Sequence, residues 1–195
     1  MCFMKELEAK ILSEGKILPG HILKVGNFLN QQIDTGFMLE MGKEVARLYN
    51  GEKVNKILTI EASGIPFAYA IAVAFGNLPV VFAKKNNTSN IGNDTYSATV
   101  HSYTHNKDYN IVVSKEYISK NDKVLIADDF LACGNALNGL IKICNDAGAD
   151  VVGCAIAIEK GFQGGGDALR KSGIRVESLA IVDEMTDDGK ITYRR

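Results

Sequence analysis

The most informative stretch of this 195-residue chain reads Val124-Leu125-Ile126-Ala127-Asp128-Asp129-Phe130-Leu131-Ala132-Cys133-Gly134-Asn135-Ala136. Its first four residues are apolar, which predicts a strand of a parallel sheet that is buried on both faces. From Ala136 onward, apolar residues recur at the spacing of an amphipathic helix. The two acids and the small-residue loop therefore join a strand to a helix, at the edge where open α/β sheets bind ligands.

The small-residue loop has the properties of an anion site. Residues 132–135 bring backbone N–H groups to a helix N-terminus, where unpaired donors and the helix dipole both favour a phosphate. Gly134 lets the backbone approach a ligand closely. Asp128 and Asp129 can accept hydrogen bonds from hydroxyls, but adjacent strand residues face opposite ways, so both reach one ligand only if the chain turns there. This combination suits a phosphorylated sugar.

Composition excludes several classes of function. With 46% hydrophobic residues the chain can bury a substantial core, and its net charge of −1 provides no electrostatic footprint for nucleic acid. No apolar run approaches the roughly 20 residues that a membrane span needs. Charged residues alternate with apolar ones at the N-terminus, which predicts an amphipathic helix. We therefore expect a single cytoplasmic domain over residues 1–195, with neither nucleic acid nor membrane as a partner.

The four cysteines show no C-x-x-C pair, and the three histidines lack ligand spacing with them, so zinc is not expected. Cys144 and Cys154 lie in apolar patterns that predict buried side chains. Cys133 differs, because a helix N-terminus can lower the pKa of a thiol. A small residue that fits the loop is the simpler interpretation.

Strands alternate with helices along the chain, which predicts a parallel sheet with helices on both faces. Strands are predicted at 56–60, 79–83, 124–127, 151–158, 176–182 and 191–193, and helices at 2–15, 34–49, 65–75, from 136, and at 167–171. The segment 84–110 breaks this rhythm, although 95–104 alternates enough to form a weak hairpin arm with 111–114. The run Gly164-Gly165-Gly166 predicts a flexible turn.

The stretch around Asp128 resembles the signature of the type I phosphoribosyltransferases, enzymes that use 5-phosphoribosyl 1-pyrophosphate (PRPP), because two acids precede a small-residue phosphate loop. The resemblance runs over nearly the whole chain. It implies an α/β fold with a parallel sheet flanked by helices, an N-terminal hood at about 1–35 and a mobile lid loop at about 84–110. It also implies a homodimer, and Mg²⁺ that is carried with PRPP near the acids and not fixed by the chain alone.

The resemblance implies roles for individual residues. Asp128 and Asp129 would be catalytic, since they would hold the ribose hydroxyls and help to stabilise positive charge at the sugar C1 carbon. The residues implied to cradle the 5′-phosphate are Ala132, Cys133, Gly134, Asn135 and Ala136.

The turn Glu61-Ala62-Ser63-Gly64 looks like the pyrophosphate-binding loop of the same family. It brings backbone donors to a second helix N-terminus, and Gly64 allows close approach. Alone, this turn would indicate an ordinary helix start, but beside the Asp128 stretch it fits PRPP, which carries phosphate at two ends. The resemblance implies that Lys84 contacts the pyrophosphate. Many related enzymes have arginine at this position. Lysine carries the same charge but cannot make the two parallel hydrogen bonds of a guanidinium.

Base recognition is predicted where the strand at 151–158 ends. Lys160 can donate to the carbonyl oxygen of a 6-oxopurine and would repel the amino group of adenine. Phe162 can stack on a base, a contact worth about 1–3 kcal/mol in other sites. A solvated strand end is the alternative interpretation of Lys160.

Residues 23–34 resemble the N-terminal segment of xanthine phosphoribosyltransferases, which folds over the base. Leu23 and Asn30 match positions that contact the purine, and Asn30 has both a donor and an acceptor for a 2-oxo edge. The resemblance therefore implies purine salvage, in which xanthine and PRPP give xanthosine 5′-monophosphate and pyrophosphate. Two alternatives stay open: an enzyme that prefers guanine or hypoxanthine, and a PRPP-sensing regulator of the same fold, which would need a separate nucleic-acid surface.

Overall fold

The computed structural model describes residues 3–85, 94–102, 107–186 and 188–195. The helices in this part of the chain are α1 (Lys5–Glu14), α2 (Thr35–Leu48), α3 (Gly64–Ala74), α4 (Asn135–Ala147) and α5 (Gly165–Lys171), with a π-helical turn at Gly26–Asn30 and a 3₁₀ turn at Gly161–Gln163. The strands are β1 (Lys16–Leu18), β2 (Ile22–Lys24), β3 (Lys56–Ile60), β4 (Val80–Lys85), β5 (Thr95–Ser102), β6 (Lys107–Ser114), β7 (Lys123–Leu131), β8 (Asp150–Lys160), β9 (Val176–Met185) and β10 (Ile191–Tyr193). No helix among these residues is long and apolar enough to span a membrane.

A sheet of eight strands in the order β10-β9-β8-β7-β3-β4-β6-β5 forms the centre of the described structure. The strands from β9 to β4 pair in parallel, while β10, β6 and β5 add antiparallel pairs at the two edges. The predicted parallel sheet is therefore confirmed. The predicted strand end at Ala127 is wrong, because β7 stays paired with β8 as far as the Leu131–Glu159 pair.

Two hydrophobic clusters cover the two faces of the sheet. Leu125 and Ala127 of β7 pack on one face with residues from α1, α2 and α3. Val124 and Ile126 pack on the other face with residues from α4, β5 and β6. The apolar residues 124–127 therefore contribute alternately to the two hydrophobic clusters, as expected for a strand that is covered on both faces.

The long segment between β4 and β7 contributes two strands to the sheet. Residues Thr95 to Ser102 pair antiparallel with Lys107 to Ser114, which confirms the predicted hairpin arm. Ala98 and Val100 are buried against α4. The stretches 86–93 and 103–106, which the lid interpretation includes, lie outside the described residues.

The N-terminal segment is docked on the body of the sheet. Leu7 and Ile11 of α1 are buried in the first core, and the backbone N–H of Met4 donates to the carbonyl of Leu179 at 2.8 Å. The short strands β1 and β2 then form an antiparallel pair, followed by the π-helical turn at Gly26–Asn30. Between α1 and α2, His21 bonds to Lys160 and Asn30 bonds to Asp129, so this segment passes close to the carboxyl ends of β8 and β7.

The contact between α2 and α3 generates a prediction about stability. A Cβ at Gly42 of α2 would lie 2.5 Å from the carbonyl carbon of Ala70 in α3, so the two helices touch at a point that admits only glycine. We expect Gly42→Ala to destabilise the fold by about 1–3 kcal/mol, because overpacking forces backbone shifts. Chemical denaturation measures the change.

Gly36→Ala is the matched control on the same helix, since its Cβ would meet an atom only at 3.7 Å. We expect that variant to gain roughly 0.5–1 kcal/mol from helix propensity. Equal effects of the two substitutions would contradict the close helix contact.

Candidate active site

A cleft of about 290 Å³ opens at the carboxyl ends of β7 and β8. Its lining residues are Val100, His101, Tyr109, Asp128, Phe130, Leu131, Ala132, Cys133, Gly134, Asn135, Ala136, Leu137, Lys160 and Gln163. The structure thus brings Asp128, the whole 132–136 loop and Lys160 to one cavity. This is the edge at which the sequence predicts a ligand.

The 132–136 loop leads directly from β7 into α4. Gly134 has φ of +87°, a left-handed conformation that glycine adopts without steric cost, and it precedes the first helical residue, Asn135. The Asn135 side chain donates to the carbonyl of His101 at 3.0 Å, which ties the loop to β5. N–H groups in the first turn of a helix have no partner within it, so this end of α4 presents donors to the cleft.

The two acids are buried and have different neighbours. Asp128 is 6% exposed and lines the cleft, where its Oδ1 accepts from the backbone N–H of Asp129 at 3.0 Å. Asp129 is 5% exposed, and its two oxygens accept from Ser63 Oγ at 2.9 Å and from Asn30 Nδ2 at 3.0 Å. Asp129 therefore joins the N-terminal segment to the 61–64 loop.

Burial raises the pKa of the Asp128 carboxyl well above its usual range. The negative charge of Asp129 and a hydrogen bond to it raise this pKa further, whereas the Asp129 backbone N–H and the Lys85 ammonium act in the opposite direction. The carboxyl groups are therefore close enough to interact, although the chain stays extended and does not turn between them. A ligand that brings positive charge or hydroxyl donors would favour the ionised form of Asp128.

The 61–64 loop packs closely on the ends of β3 and β7. A Cβ at Gly64 would collide with Thr59 Oγ1 and would lie 3.0 Å from Asp128 Oδ1, so only glycine fits. Thr59 is fully buried, and its hydroxyl has no hydrogen-bond partner within the described part of the chain. The carboxylate of Glu61 accepts from the backbone N–H of Lys85 at 2.6 Å, and the peptide bond between Glu61 and Ala62 is cis.

The two lysines that end β4 face different surroundings. Lys84, which the resemblance selects, is partly buried and pairs in register with Val112. Lys85 places its Nζ 5.4 Å from the ring centre of Tyr109, a residue that lines the cleft. The Lys85 ammonium also acts to lower the pKa of Asp128, so its charge reaches the acid.

The predicted base-contacting residues are distributed over two places. Lys160 lines the cleft, donates to the carbonyl of His21 at 3.3 Å and lies 5.9 Å from the ring centre of Phe130. Burial lowers the pKa of Lys160. Phe162 is 39% exposed, and its ring centre lies 5.7 Å from that of His21.

Asn30 lies at Asp129, as described above, whereas Leu23 is buried in the first hydrophobic core. The N-terminal segment therefore reaches the site through His21 and Asn30.

Phe130, Tyr109 and His21 are among the residues of this region that the sequence analysis does not select. Phe130 was the only aromatic in a stretch of acids and small residues, and that contrast was the available signal. Tyr109 and His21 gave no local signal, because strand pairing and the docking of the N-terminal segment bring them to the cleft from distant parts of the chain.

The described residues include no group of three or more His, Cys, Asp or Glu side chains placed to hold a metal ion. Asp128 and Asp129 supply buried carboxylate oxygens at this edge. Such a donor set fits Mg²⁺, which commonly binds through one or two carboxylates and takes its remaining ligands from substrate phosphates and water. The chain therefore suits a metal that arrives with its phosphate ligand.

The raised pKa of Asp128 generates a prediction about stability. A carboxyl with a raised pKa favours the native state while it is protonated, and that contribution is lost as the pH rises from the usual 3.8 through the folded-state value. We therefore expect Asp128→Asn to raise the melting temperature of the ligand-free protein near neutral pH, by an amount that shrinks on acidification. Thermal unfolding at several pH values measures this, and about 1 kcal/mol corresponds to about 2–4 °C for a domain of this size.

A temperature difference that stayed the same at every pH would contradict the buried, raised-pKa carboxyl.

Comparison with known proteins bears on this site. The model of the phosphoribosyl transferase domain matches residues 40–182. The xanthine phosphoribosyltransferase of Bifidobacterium adolescentis is 52% identical over 192 residues, which cover 98% of this chain and 100% of that protein. The xanthine phosphoribosyltransferase 2 of Clostridium botulinum is 55% identical over 185 residues, which cover 95% and 97% of the two chains.

Solved structures share the fold at low sequence identity. An adenine phosphoribosyltransferase from Trypanosoma brucei superposes with a TM-score of 0.77 at 21% identity, covering 94% of this chain and 82% of that one. The APRTase from Giardia lamblia gives a TM-score of 0.76 at 21% identity, covering 95% and 100%. The fold expected from the Asp128 stretch, a mostly parallel sheet flanked by helices, is confirmed. With relatives more than half identical along almost its whole length, this chain belongs to the phosphoribosyltransferase family.

Proposed function

We propose that this chain is a xanthine phosphoribosyltransferase of purine salvage, which converts xanthine and PRPP to xanthosine 5′-monophosphate and pyrophosphate. One observation carries the proposal: two glycine-containing loops at helix N-termini meet at a buried acid pair, beside a lysine that lines the same cleft. The names and high identity of the relatives support xanthine as the base.

PRPP would lie along the edge of the sheet. The 132–136 loop, with Ala132, Cys133, Gly134, Asn135 and Ala136, would hold the 5′-phosphate. Glu61, Ala62, Ser63 and Gly64, with Lys84 or Lys85, would hold the pyrophosphate. The hydrogen bond from Ser63 to Asp129 supports this orientation, since it places the second loop against the acids that would hold the ribose.

Catalysis would rest on positioning and electrostatics. The bond between the sugar C1 and the pyrophosphate breaks with oxocarbenium character, so the reaction requires no nucleophile from the chain. Asp128 and Asp129 would hold the ribose hydroxyls and stabilise the positive charge that develops on the sugar. Mg²⁺ that is bound with PRPP near these two acids would neutralise charge on the leaving pyrophosphate.

Lys160 would select the base. An amine donates a hydrogen bond in either protonation state, so the lowered pKa of Lys160 leaves it able to donate to a 6-oxo group. The same donor would face the amino group of adenine without an acceptor. Phe162 would stack on the purine, while Asn30 and Leu23 would complete the pocket from the N-terminal side. Because Lys160 fits any 6-oxopurine, preference for guanine or hypoxanthine is the second candidate.

We assign the hood to residues 1–35 and the lid to residues 84–110. The bond from Lys160 to the carbonyl of His21 supports the hood, because it holds the N-terminal segment over the proposed base site. A lid would exclude water, which competes with the purine as a nucleophile. The cytoplasmic location stays a prediction from the sequence.

Initial rates with PRPP and Mg²⁺ test the proposal, using xanthine, guanine, hypoxanthine and adenine in parallel. We expect clear preference for xanthine and little turnover of adenine. Rates that favour guanine or hypoxanthine would keep the reaction but overturn the choice of base. Binding of PRPP without turnover of any base would favour a PRPP-sensing regulator.

The same assay with Lys160→Ala tests the role of the lysine. We expect the KM for xanthine to rise about 10–100-fold, since a hydrogen bond to a charged group contributes about 1.5–3 kcal/mol, while the KM for PRPP changes little. Lys171→Ala is the control, because Lys171 is exposed at the end of α5. An equal rise in both KM values would contradict base recognition by Lys160.

We also propose that the protein is a homodimer. Tyr69 and Val73 are spaced four residues apart on α3, so they share a face of the helix, and they are 63% and 37% exposed. An exposed apolar face of this kind is typical of a subunit interface. Light scattering should give twice the chain mass of 21.2 kDa for the wild type, and a smaller mass for Tyr69→Asp. A wild-type protein with the mass of one chain would contradict the dimer.

A further inference from the structure

The glycine run at 164–166 leads into α5 and lies against the 132–136 loop, so the structure has two buried helical glycines where the sequence predicts a flexible turn. Gly165 is buried, begins α5, and donates its N–H to the carbonyl of Ala132 at 3.2 Å. A Cβ at Gly165 would collide with the carbonyl oxygen of Ala132 and would lie 2.5 Å from the carbonyl carbon of Cys133 and 2.7 Å from the nitrogen of Gly134. The backbone of α5 therefore supports the loop directly.

A buried ion pair fixes α5 in this position. Glu159, the last but one residue of β8, is 1% exposed. Its two oxygens accept from Arg170 Nη1 at 3.0 Å and from Arg170 Nη2 at 2.7 Å, and Ser178 also donates to it. The fork of the guanidinium matches the carboxylate geometry, so the pair restrains orientation as well as distance.

Gly166 brings the helix close enough for this pair to form. A Cβ at Gly166 would collide with Glu159 Oε1 and would lie 2.5 Å from its Cδ. The first turn of α5 therefore has a glycine facing the loop and another facing the ion pair.

Further charges anchor the outer side of α5. Asp167 accepts from Arg170 at 3.1 Å and from Arg194 at 2.7 Å, and Arg194 also donates to Asp183 at 2.8 Å. The helix is thus held to β8, to β9 and to the C-terminal residues. Each link lies behind the loop and outside the lining of the cleft.

A buried ion pair adds little net stability compared with apolar residues of the same size, because desolvation offsets the attraction. The contribution of the Glu159–Arg170 pair is instead to fix the position and orientation of α5. The Leu131–Glu159 pair in the sheet places Glu159 beside the last strand residue before the loop. The position of α5 is therefore fixed relative to the point at which the loop leaves the sheet.

We propose that Gly165, Gly166 and the Glu159–Arg170 ion pair are positioning residues for the 5′-phosphate subsite. They hold the backbone of the 132–136 loop in the shape that binds phosphate, without touching the ligand. This proposal rests on the proposed function, which assigns the 5′-phosphate to that loop. It predicts an effect that spares the pyrophosphate end of PRPP, because the 61–64 loop is held by Asp129 and by the backbone of Lys85, away from α5.

Gly165→Ala tests the proposal with two probes that occupy different subsites. Ribose 5-phosphate reports on the 132–136 loop, and pyrophosphate with Mg²⁺ reports on the 61–64 loop. Since one hydrogen bond to a charged group contributes about tenfold or more in affinity, we expect the affinity for ribose 5-phosphate to fall at least about tenfold when the loop backbone is displaced. The affinity for pyrophosphate should change by less than about twofold, while the KM for PRPP rises. Calorimetry and initial rates measure these values.

Gly164→Asn is the matched control. A Cβ at Gly164 would meet nothing within 4 Å, and its φ of +74° is one that asparagine tolerates. We expect this variant to bind both probes like the wild type.

Arg170→Lys provides a second test if Gly165→Ala does not fold. This variant keeps a positive charge near Glu159 but cannot make both hydrogen bonds of the guanidinium. We expect its affinity for ribose 5-phosphate to fall less than that of Gly165→Ala, with the affinity for pyrophosphate again unchanged. Arg170→Met should lose more than Arg170→Lys, because the buried carboxylate is then left without a cation.

Three outcomes would overturn the proposal. If the wild type binds ribose 5-phosphate and folded Gly165→Ala binds it equally well, only the positioning proposal is wrong. Equal losses for ribose 5-phosphate and pyrophosphate would show a general structural effect and would also overturn it. If the wild type turns over PRPP but does not bind ribose 5-phosphate, the assignment of the 5′-phosphate to the 132–136 loop is wrong and the positioning proposal falls with it, whereas a wild type without turnover of any base would overturn the proposed function.

Discussion

The structure of the site depends on the pairing of β7 with β8 beyond the end of the apolar run. The ladder continues through the Asp128–Ile156 pair and the Phe130–Ile158 pair to Leu131 and Glu159. Because β7 stays in the sheet, Asp128 and Asp129 are carried into a buried environment, and the 132–136 loop begins at a fixed point. The same pairing places Glu159 behind the loop and Lys160 beside the cleft. A ladder that ended at Ala127 would leave the acids on a solvated turn, where burial would not raise the pKa of Asp128.

The acid pair connects parts of the chain that are far apart in sequence. Asp129 receives a hydrogen bond from Asn30 in the N-terminal segment and another from Ser63 at the start of α3. Asp128 instead faces the cleft that the 132–136 loop lines. In the proposed reaction the ribose lies between the 5′-phosphate, the pyrophosphate and the base. In the structure, Asp128 shares one cleft with the 132–136 loop and Lys160, and Asp129 bonds to Ser63 of the 61–64 loop.

The alternation of elements and the two helix-start loops were predictable from sequence, because apolar periodicity and glycine placement are local signals. The continuation of β7 was not, since hydrophobicity does not report on backbone pairing once charged residues begin. For a related reason, the glycine run at 164–166 leads into α5 with two buried glycines, where its sequence predicts a flexible turn. Glycine signals freedom in the unfolded chain, but here the absence of a Cβ is what allows α5 to touch the loop and Glu159. Tyr109 and His21 reach the cleft through strand pairing and through docking of the N-terminal segment. These contacts join distant parts of the chain, so no local sequence pattern predicts them.

The region contains two kinds of buried acid. Glu159 lies in the support of the 132–136 loop, whereas Asp128 lines the cleft and would contact the ligand. Glu159 is matched by the fork of Arg170 and by Ser178, so its charge is compensated before any ligand binds. Asp128 accepts from a backbone N–H but lies beside a second carboxylate, and its pKa is raised. A compensated buried charge stabilises one geometry, whereas a poorly compensated one favours any ligand that supplies donors or positive charge. The chain therefore combines a charge-compensated support behind the 132–136 loop with an acid in front of it whose environment a ligand would complete.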